Sequence, residues 1–204
     1  QPDVLAPHAA DQHSIDWLGD DPAYWDAIAP ARLLAGSDLA VPGLHVGGWQ
    51  DFLLDGTLRA YQAFRAGPAP QRLLIGPWTH APWGRRVGSL DLGPEAATPV
   101  DAATVAFLDH VLLGREDPGP PVRLFDVGSR GWAGFSAWPE PEPTALYLAS
   151  DGLAATAAGG RLAAAPGAAG EDRLVHDPWR PAPIVGGPWG TPPGYQDRAA
   201  LDDR

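Results

Sequence analysis

Short apolar runs and helical spacings alternate through the first 114 residues. Asp20-Asp21-Pro22 has the form of a helix start, with an acid at the cap and Pro at the first helical position. Tyr24, Trp25 and Ile28 follow as its apolar face, and a short helical stretch over Ala31 to Ala35 ends at Gly36. Val41 to Val46 is a compact apolar run closed by Gly47-Gly48, the pattern of a buried strand. Leu54, Leu58 and Tyr61 are spaced four and three apart, which predicts a helix, and Gly67-Pro68 stops it. Arg72 to Ile75 is a second buried strand, closed by Gly76-Pro77. Thr98-Pro99 opens a further helix carrying Val100, Thr104, Phe107, Leu108 and Val111 on one face, ended by Gly114. Strand, helix, strand, helix implies parallel strands joined by crossovers. Two strands make no stable open sheet, so its remainder is expected elsewhere in the polypeptide.

Beyond Gly114 the pattern changes. Short strands are expected at Val122–Val127, Ala145–Ala149 and Arg173–His176, separated by Pro- and Gly-rich turns. Residues 152–170 are Ala- and Gly-rich, a mobile loop or a poorly ordered hairpin, and the tail from Gly186 shows no core pattern. The second half therefore reads as the start of an all-β domain.

Composition narrows the function. The net charge is −11 and every basic residue is arginine, with the acids spread evenly. No basic face exists for a phosphate backbone, which argues against a nucleic-acid partner. There is no cysteine, so disulfides and thiolate metal sites are excluded. No apolar run has the length of a membrane span. Nine tryptophans argue against disorder despite 25 Gly and 24 Pro. The chain lacks methionine and begins at Gln1, from which the expectation is an internal piece of a longer protein.

Asp51 follows the first strand by a few residues and His80 follows the second. Consecutive parallel strands deliver both to the carboxyl edge of the sheet, where ligands bind in open α/β folds. A carboxylate beside an imidazole holds its tautomer and stabilises its cation, the acid-plus-base half of a nucleophilic triad. Taken singly, Asp51 also suits a helix cap and His80 a solvated loop. The order Asp then His matches α/β-hydrolases, in which the nucleophile comes first. No G-x-S-x-G is present, and Gly134-Phe135-Ser136-Ala137-Trp138 departs from it by ending in Trp. The Ser is therefore expected upstream. His45 reads as packed within its strand, His8 and His13 as residues of an irregular head, His110 as surface and His176-Asp177 as a turn. Asp55 suits a cap for a helix from Gly56.

Gly48-Trp49-Gln50-Asp51 and Gly76-Pro77-Trp78-Thr79-His80 resemble the two triad motifs of the family that unites bacterial cocaine esterases, X-prolyl dipeptidyl peptidases and α-amino acid ester hydrolases. Phe107-Leu108-Asp109-His110, Val122-Arg123-Leu124-Phe125, Gly131-Trp132, Trp138-Pro139 and Gly186-Gly187 continue the resemblance in order, over about residues 14–198. It implies the end of a helical cap in 1–36, the last two strands and helices of an α/β-hydrolase core in 37–118, and the start of a jelly-roll β-sandwich in 119–204. It implies Asp51 and His80 as catalytic residues. Phe52 and Leu53 would line the acyl pocket, with Trp49 and Trp78 flanking the site as loop-packing residues and substrate contacts. Amine-binding relatives carry acids where this chain has Leu53-Leu54, so it resembles the esterase and acylase side.

The expected function is part of a serine hydrolase acting on a small ester, amide or peptide, inactive without its upstream Ser. The partners are that substrate and the remaining polypeptide, with a homo-oligomer left open; no cofactor, metal, nucleic acid or membrane is implied. Absence of Cys accords with the cytoplasm, with secretion left open. The alternative is a non-catalytic β-sandwich module, which would account for the Trp-rich second half and leave the Asp–His pair unexplained.

Overall fold

The computed structural model describes residues 22–29, 32, 40–81, 83–97, 100–154, 159–173, 177–179, 185–188 and 193–196. A short helix α1, Pro22–Ile28, comes first, with the proline at its first position as the sequence predicts. Strand β1, Gly43–Gly48, leads through helix α2, Leu54–Phe64, to strand β2, Gln71–Gly76. A small hairpin of β3, Arg86–Val87, and β4, Leu90–Asp91, is followed by a 3-10 turn at Pro94–Ala96. Helix α3 spans Val100–Leu113, and strands β5, Val122–Asp126, and β6, Gly131–Phe135, come next. Strands β7, Tyr147–Ser150, and β8, Gly160–Ala163, form a separate antiparallel pair.

The main sheet has the order β1-β2-β5-β6. β1 runs parallel to β2 with Gly43 opposite Gln71 and Gly48 opposite Gly76, β2 runs parallel to β5, and β6 turns back antiparallel. A mixed sheet with crossover helices is an α/β fold. The expectation of only two strands in this sheet is corrected. Val122–Val127 was expected to lie in the following β part, but Leu73, Leu74 and Ile75 pair with Val122, Arg123 and Leu124. A buried parallel strand and a sandwich strand are both short apolar runs, so periodicity does not separate them. β6 went unread because Gly-Trp-Ala-Gly-Phe carries too few branched residues to announce a strand.

Side chains alternate across the sheet and build a core on each face. Leu73, Ile75, Val122 and Leu124 meet Tyr61 of α2. Trp78, Val87, Leu92, Ala96, Val100 and Phe125 pack on the other face. In α3 only Val100 and Phe107 are buried, while Leu108, expected on the apolar face, is exposed. Residues 174–176 of the expected strand at Arg173–His176, and all of Ala31–Ala35 except Arg32, lie outside the described residues. No helix among the described residues is long and apolar enough to cross a membrane.

Candidate active site

The two loops that carry Asp51 and His80 prolong the parallel ladder beyond the strand ends. Trp49 N–H donates to Gly76 O at 2.8 Å, and Gln50 N–H donates to Trp78 O at 2.9 Å. Asp51 N–H then turns back to Gly48 O at 3.0 Å. This zipper requires close approach of two backbones. A Cβ on Gly48 would lie 2.3 Å from Trp78 O, so only glycine admits the second loop there.

The zipper brings the carboxylate and the imidazole together. His80 Nδ1 stands 3.3 Å from Asp51 Oδ1 and 3.4 Å from Oδ2. The Asp51 side chain is only 10% exposed, whereas that of His80 is 55% exposed. The carboxylate therefore sits beneath the ring, and with Nδ1 facing Asp51 the other ring nitrogen is left for chemistry. Asp51 Oδ1 also accepts the Leu53 N–H at 2.9 Å, and Asp51 O accepts the Leu54 N–H at 3.1 Å. The cap position of α2 is Leu53, without a side-chain cap bond, so Asp51 is not the cap; the turn it makes before α2 orients its carboxylate instead. Long carboxylate–imidazole distances are common in unliganded sites and shorten in the reacting complex.

The neighbouring residues divide by exposure. The Phe52 ring lies 4.9 Å from the His80 ring, and Phe52 and Leu53 are both exposed at the loop surface. Leu54 instead begins α2 and packs against the Tyr61 core. Trp78, expected as a substrate contact, is 0% exposed and differs from that expectation. Its indole N–H donates to Ala96 O at 2.7 Å, anchoring the His80 loop from below. Trp49 is half-buried against the α2-side core, and its indole N–H donates to Phe125 O at 2.7 Å. Both tryptophans therefore act as staples between one of the two site loops and a distant backbone carbonyl.

Other candidates lie elsewhere. His45 Nε2 bonds Gln71 Oε1 at 3.0 Å within the sheet, and His110 Nδ1 bonds Arg115 O at 3.0 Å. Asp55 pairs with Arg59 at 2.7 Å instead of capping. His8, His13 and His176 fall outside the described residues. A cavity of about 400 Å³ is lined by the sheet and α3, with Leu44, Leu74, Phe107 and Arg123 among its residues, and includes neither Asp51 nor His80. Sequence reasoning missed one neighbour of the site, Tyr195. Its ring packs on the Trp78 core and its hydroxyl meets the Gln50 side chain. Burial pushes the phenol above its usual range, and the Gln50 bond pulls it back. Its position in a Gly/Pro-rich tail gave no periodic signal.

The family model described as X-Pro dipeptidyl-peptidase (S15 family) matches residues 2–82, a stretch that contains both Asp51 and His80. The cocaine esterase of Rhodococcus sp. (strain MB1 Bresler) is 34% identical over 178 residues, covering 82% of this chain and 30% of that protein. Among solved structures, an aminopeptidase from the marine sediment archaeon Thaumarchaeota archaeon is similar with a TM-score of 0.54 and 26% identity, over 64% of this chain and 23% of that one. The chain thus spans about a third or less of the length of these relatives. Their names are those of hydrolases of ester and peptide bonds, and the resemblance read in the two motifs holds across most of the sequence: the chain belongs to the X-Pro dipeptidyl-peptidase and cocaine esterase family of hydrolases.

Proposed function

We propose that these residues supply the acid–base half of a Ser-His-Asp hydrolase, with the serine contributed by polypeptide outside the 204 residues. The observation that carries this reading is the enclosed Asp51 carboxylate 3.3 Å from Nδ1 of the half-exposed His80, at the carboxyl edge of parallel strands. His80 takes the proton of the serine as it attacks an ester or amide carbonyl, and returns it to the leaving group. Asp51 keeps Nδ1 protonated and stabilises the imidazolium. Phe52 and Leu53 face the acyl group, with Trp49 and Trp78 fixing the loops behind. Residues 119–204 then serve as the sheet's last strands followed by the opening of a jelly roll, a reading supported by the β7–β8 pair. By itself the chain has no covalent step and releases no product.

An ammonium against Leu53 would lose hydration without gaining a partner, so the preferred acyl group is uncharged. Phenylacetyl methyl ester is expected to be cleaved about 10² faster in kcat/KM than its phenylglycyl counterpart. The deciding experiment joins this chain to an upstream segment bearing G-x-S-x-G and follows p-nitrophenyl acetate hydrolysis. Asp51→Asn is expected to keep the fold and lower kcat by about 10⁴, the scale known for serine proteases. A change of only a few-fold would reduce Asp51 to a helix-entry residue, because Asn serves that role nearly as well.

A further inference from the structure

A segment far along the chain returns to the back of the site. Gly187 and Gly194 pair with each other, Gly187 N–H to Gly194 O at 2.8 Å and Gly194 N–H to Gly187 O at 2.9 Å. The next residue, Tyr195, bridges in parallel to Gly88. Tyr195 O accepts both the Ser89 N–H at 2.7 Å and the Ser89 Oγ–H at 2.9 Å. The approach is as tight as that at Gly48. A Cβ on Gly88 would lie 2.2 Å from Tyr195 O, and Gly88 also has φ +64°, so the hairpin accepts this segment only through glycine.

The Tyr195 side chain joins what the backbone does not. Its ring packs against the core cluster containing Trp78, two residues before His80. Its hydroxyl meets the Gln50 side chain, one residue before Asp51. Gln50 is already held by its backbone N–H to Trp78 O. Tyr195 therefore links Gln50, on the Asp51 loop, to the core cluster that also holds Trp78 of the His80 loop.

We propose that the paired Gly187 and Gly194, with Tyr195, act as a strap, and that Tyr195 is a positioning residue for the Asp51–His80 pair. This rests on the catalytic reading of that pair. The strap does not touch the reacting atoms. It limits how far the Gln50-Asp51 turn moves relative to the Trp78-Thr79-His80 loop, so that the carboxylate stays under Nδ1. A tyrosine suits this role because its ring fills the core edge while its hydroxyl reaches a polar partner.

The test reads the imidazole itself in the 204-residue chain. Nitrogen-15 NMR of labelled histidine gives the ratio of Nδ1–H to Nε2–H tautomers of neutral His80. Asp51→Asn should shift that ratio toward Nε2–H by about fivefold, the value of one hydrogen bond. Tyr195→Phe keeps the ring and should shift the ratio in the same direction by about twofold. Gln50→Leu should match it, and the double variant should add nothing further. Thermal melting of Tyr195→Phe should stay close to that of the parent. If Asp51→Asn shifts the ratio and neither Tyr195→Phe nor Gln50→Leu does, the strap proposal is overturned while the pair stands. If Asp51→Asn leaves the ratio unchanged, the pair itself fails. A Tyr195→Phe chain that loses its fold would make the tyrosine a structural residue and would also overturn the proposal.

Discussion

The strand-end loops and the β7–β8 hairpin are both short ladders beside Pro- and Gly-rich turns, yet they are held in opposite ways. The loops carrying Asp51 and His80 continue the pairing of a buried sheet, and each is stapled from behind by an indole hydrogen bond. The hairpin keeps its apolar side chains in solvent, with Leu148 88% exposed and Leu162 also open. What fixes the Asp51–His80 pair is therefore less the local turn sequence than the sheet from which the turn springs. A pair of groups on β7 and β8 would lack the buried sheet that stands behind the Asp51–His80 loops.

Glycine substitution should separate the two regions most. Gly48→Ala places a methyl group 2.3 Å from a backbone oxygen that cannot swing away. We expect a loss of about 3 kcal/mol or more, read from urea unfolding midpoints. Gly160→Ala in β8 meets nothing nearer than 3.4 Å and should leave the midpoint within about 0.5 kcal/mol. Equal effects would break the contrast.

A smaller difference is expected at the indoles. Trp49→Phe keeps a ring but removes the donor to Phe125 O, and should cost about 1–2 kcal/mol. Trp179, 94% exposed, should tolerate the same change without a measurable shift.

The β3–β4 hairpin beyond His80 allows a test by pH. Bonds from the Arg85 side chain, and then from Gly93 N–H, hold the Asp91 carboxyl down to about 2. A carboxyl depressed in the folded state adds stability above its unfolded value of about 4, and that stability is lost as the pH falls toward 2. The melting difference between the parent and Asp91→Asn should therefore be full at pH 6 and narrow steadily below pH 4. A gap independent of pH would show that Asp91 acts through shape instead of charge.

The smallest effect belongs to the exposed hairpin. Leu148→Ser should change stability by less than about 0.5 kcal/mol, while reducing nonspecific association of the chain at high concentration. A larger loss of stability would mean that the residue is covered.

The sequence made β1, α2, β2 and α3 legible because each pairs a clean apolar period with a Gly or Pro stop, as at Gly47-Gly48 and Gly67-Pro68. It placed Asp51 and His80 on one edge, because consecutive parallel strands leave little choice. It did not give β5 its partner, since an apolar run of five does not say which sheet it joins. Nor did it separate Leu53 from Leu54, one exposed and the other packed on Tyr61, because that depends on where α2 begins. For Trp78 the sequence offered both loop packing and substrate contact, and the buried indole takes the first. An indole two residues from a candidate site histidine looks the same in sequence whether it faces a ligand or a core. Tyr195 was invisible because contact between distant segments leaves no local period.

The supports behind the Asp51–His80 pair also fix an order in time. The β1-α2-β2 unit closes through local contacts, so the two side chains can meet early in folding. The carbonyl that Trp49 needs arrives with β5, and Tyr195 arrives much later along the chain. On a ribosome the pair would be made before it is secured, and each later segment would narrow its motion further. The Asp51–His80 spacing would then be the last property of this region to mature, well after its secondary structure.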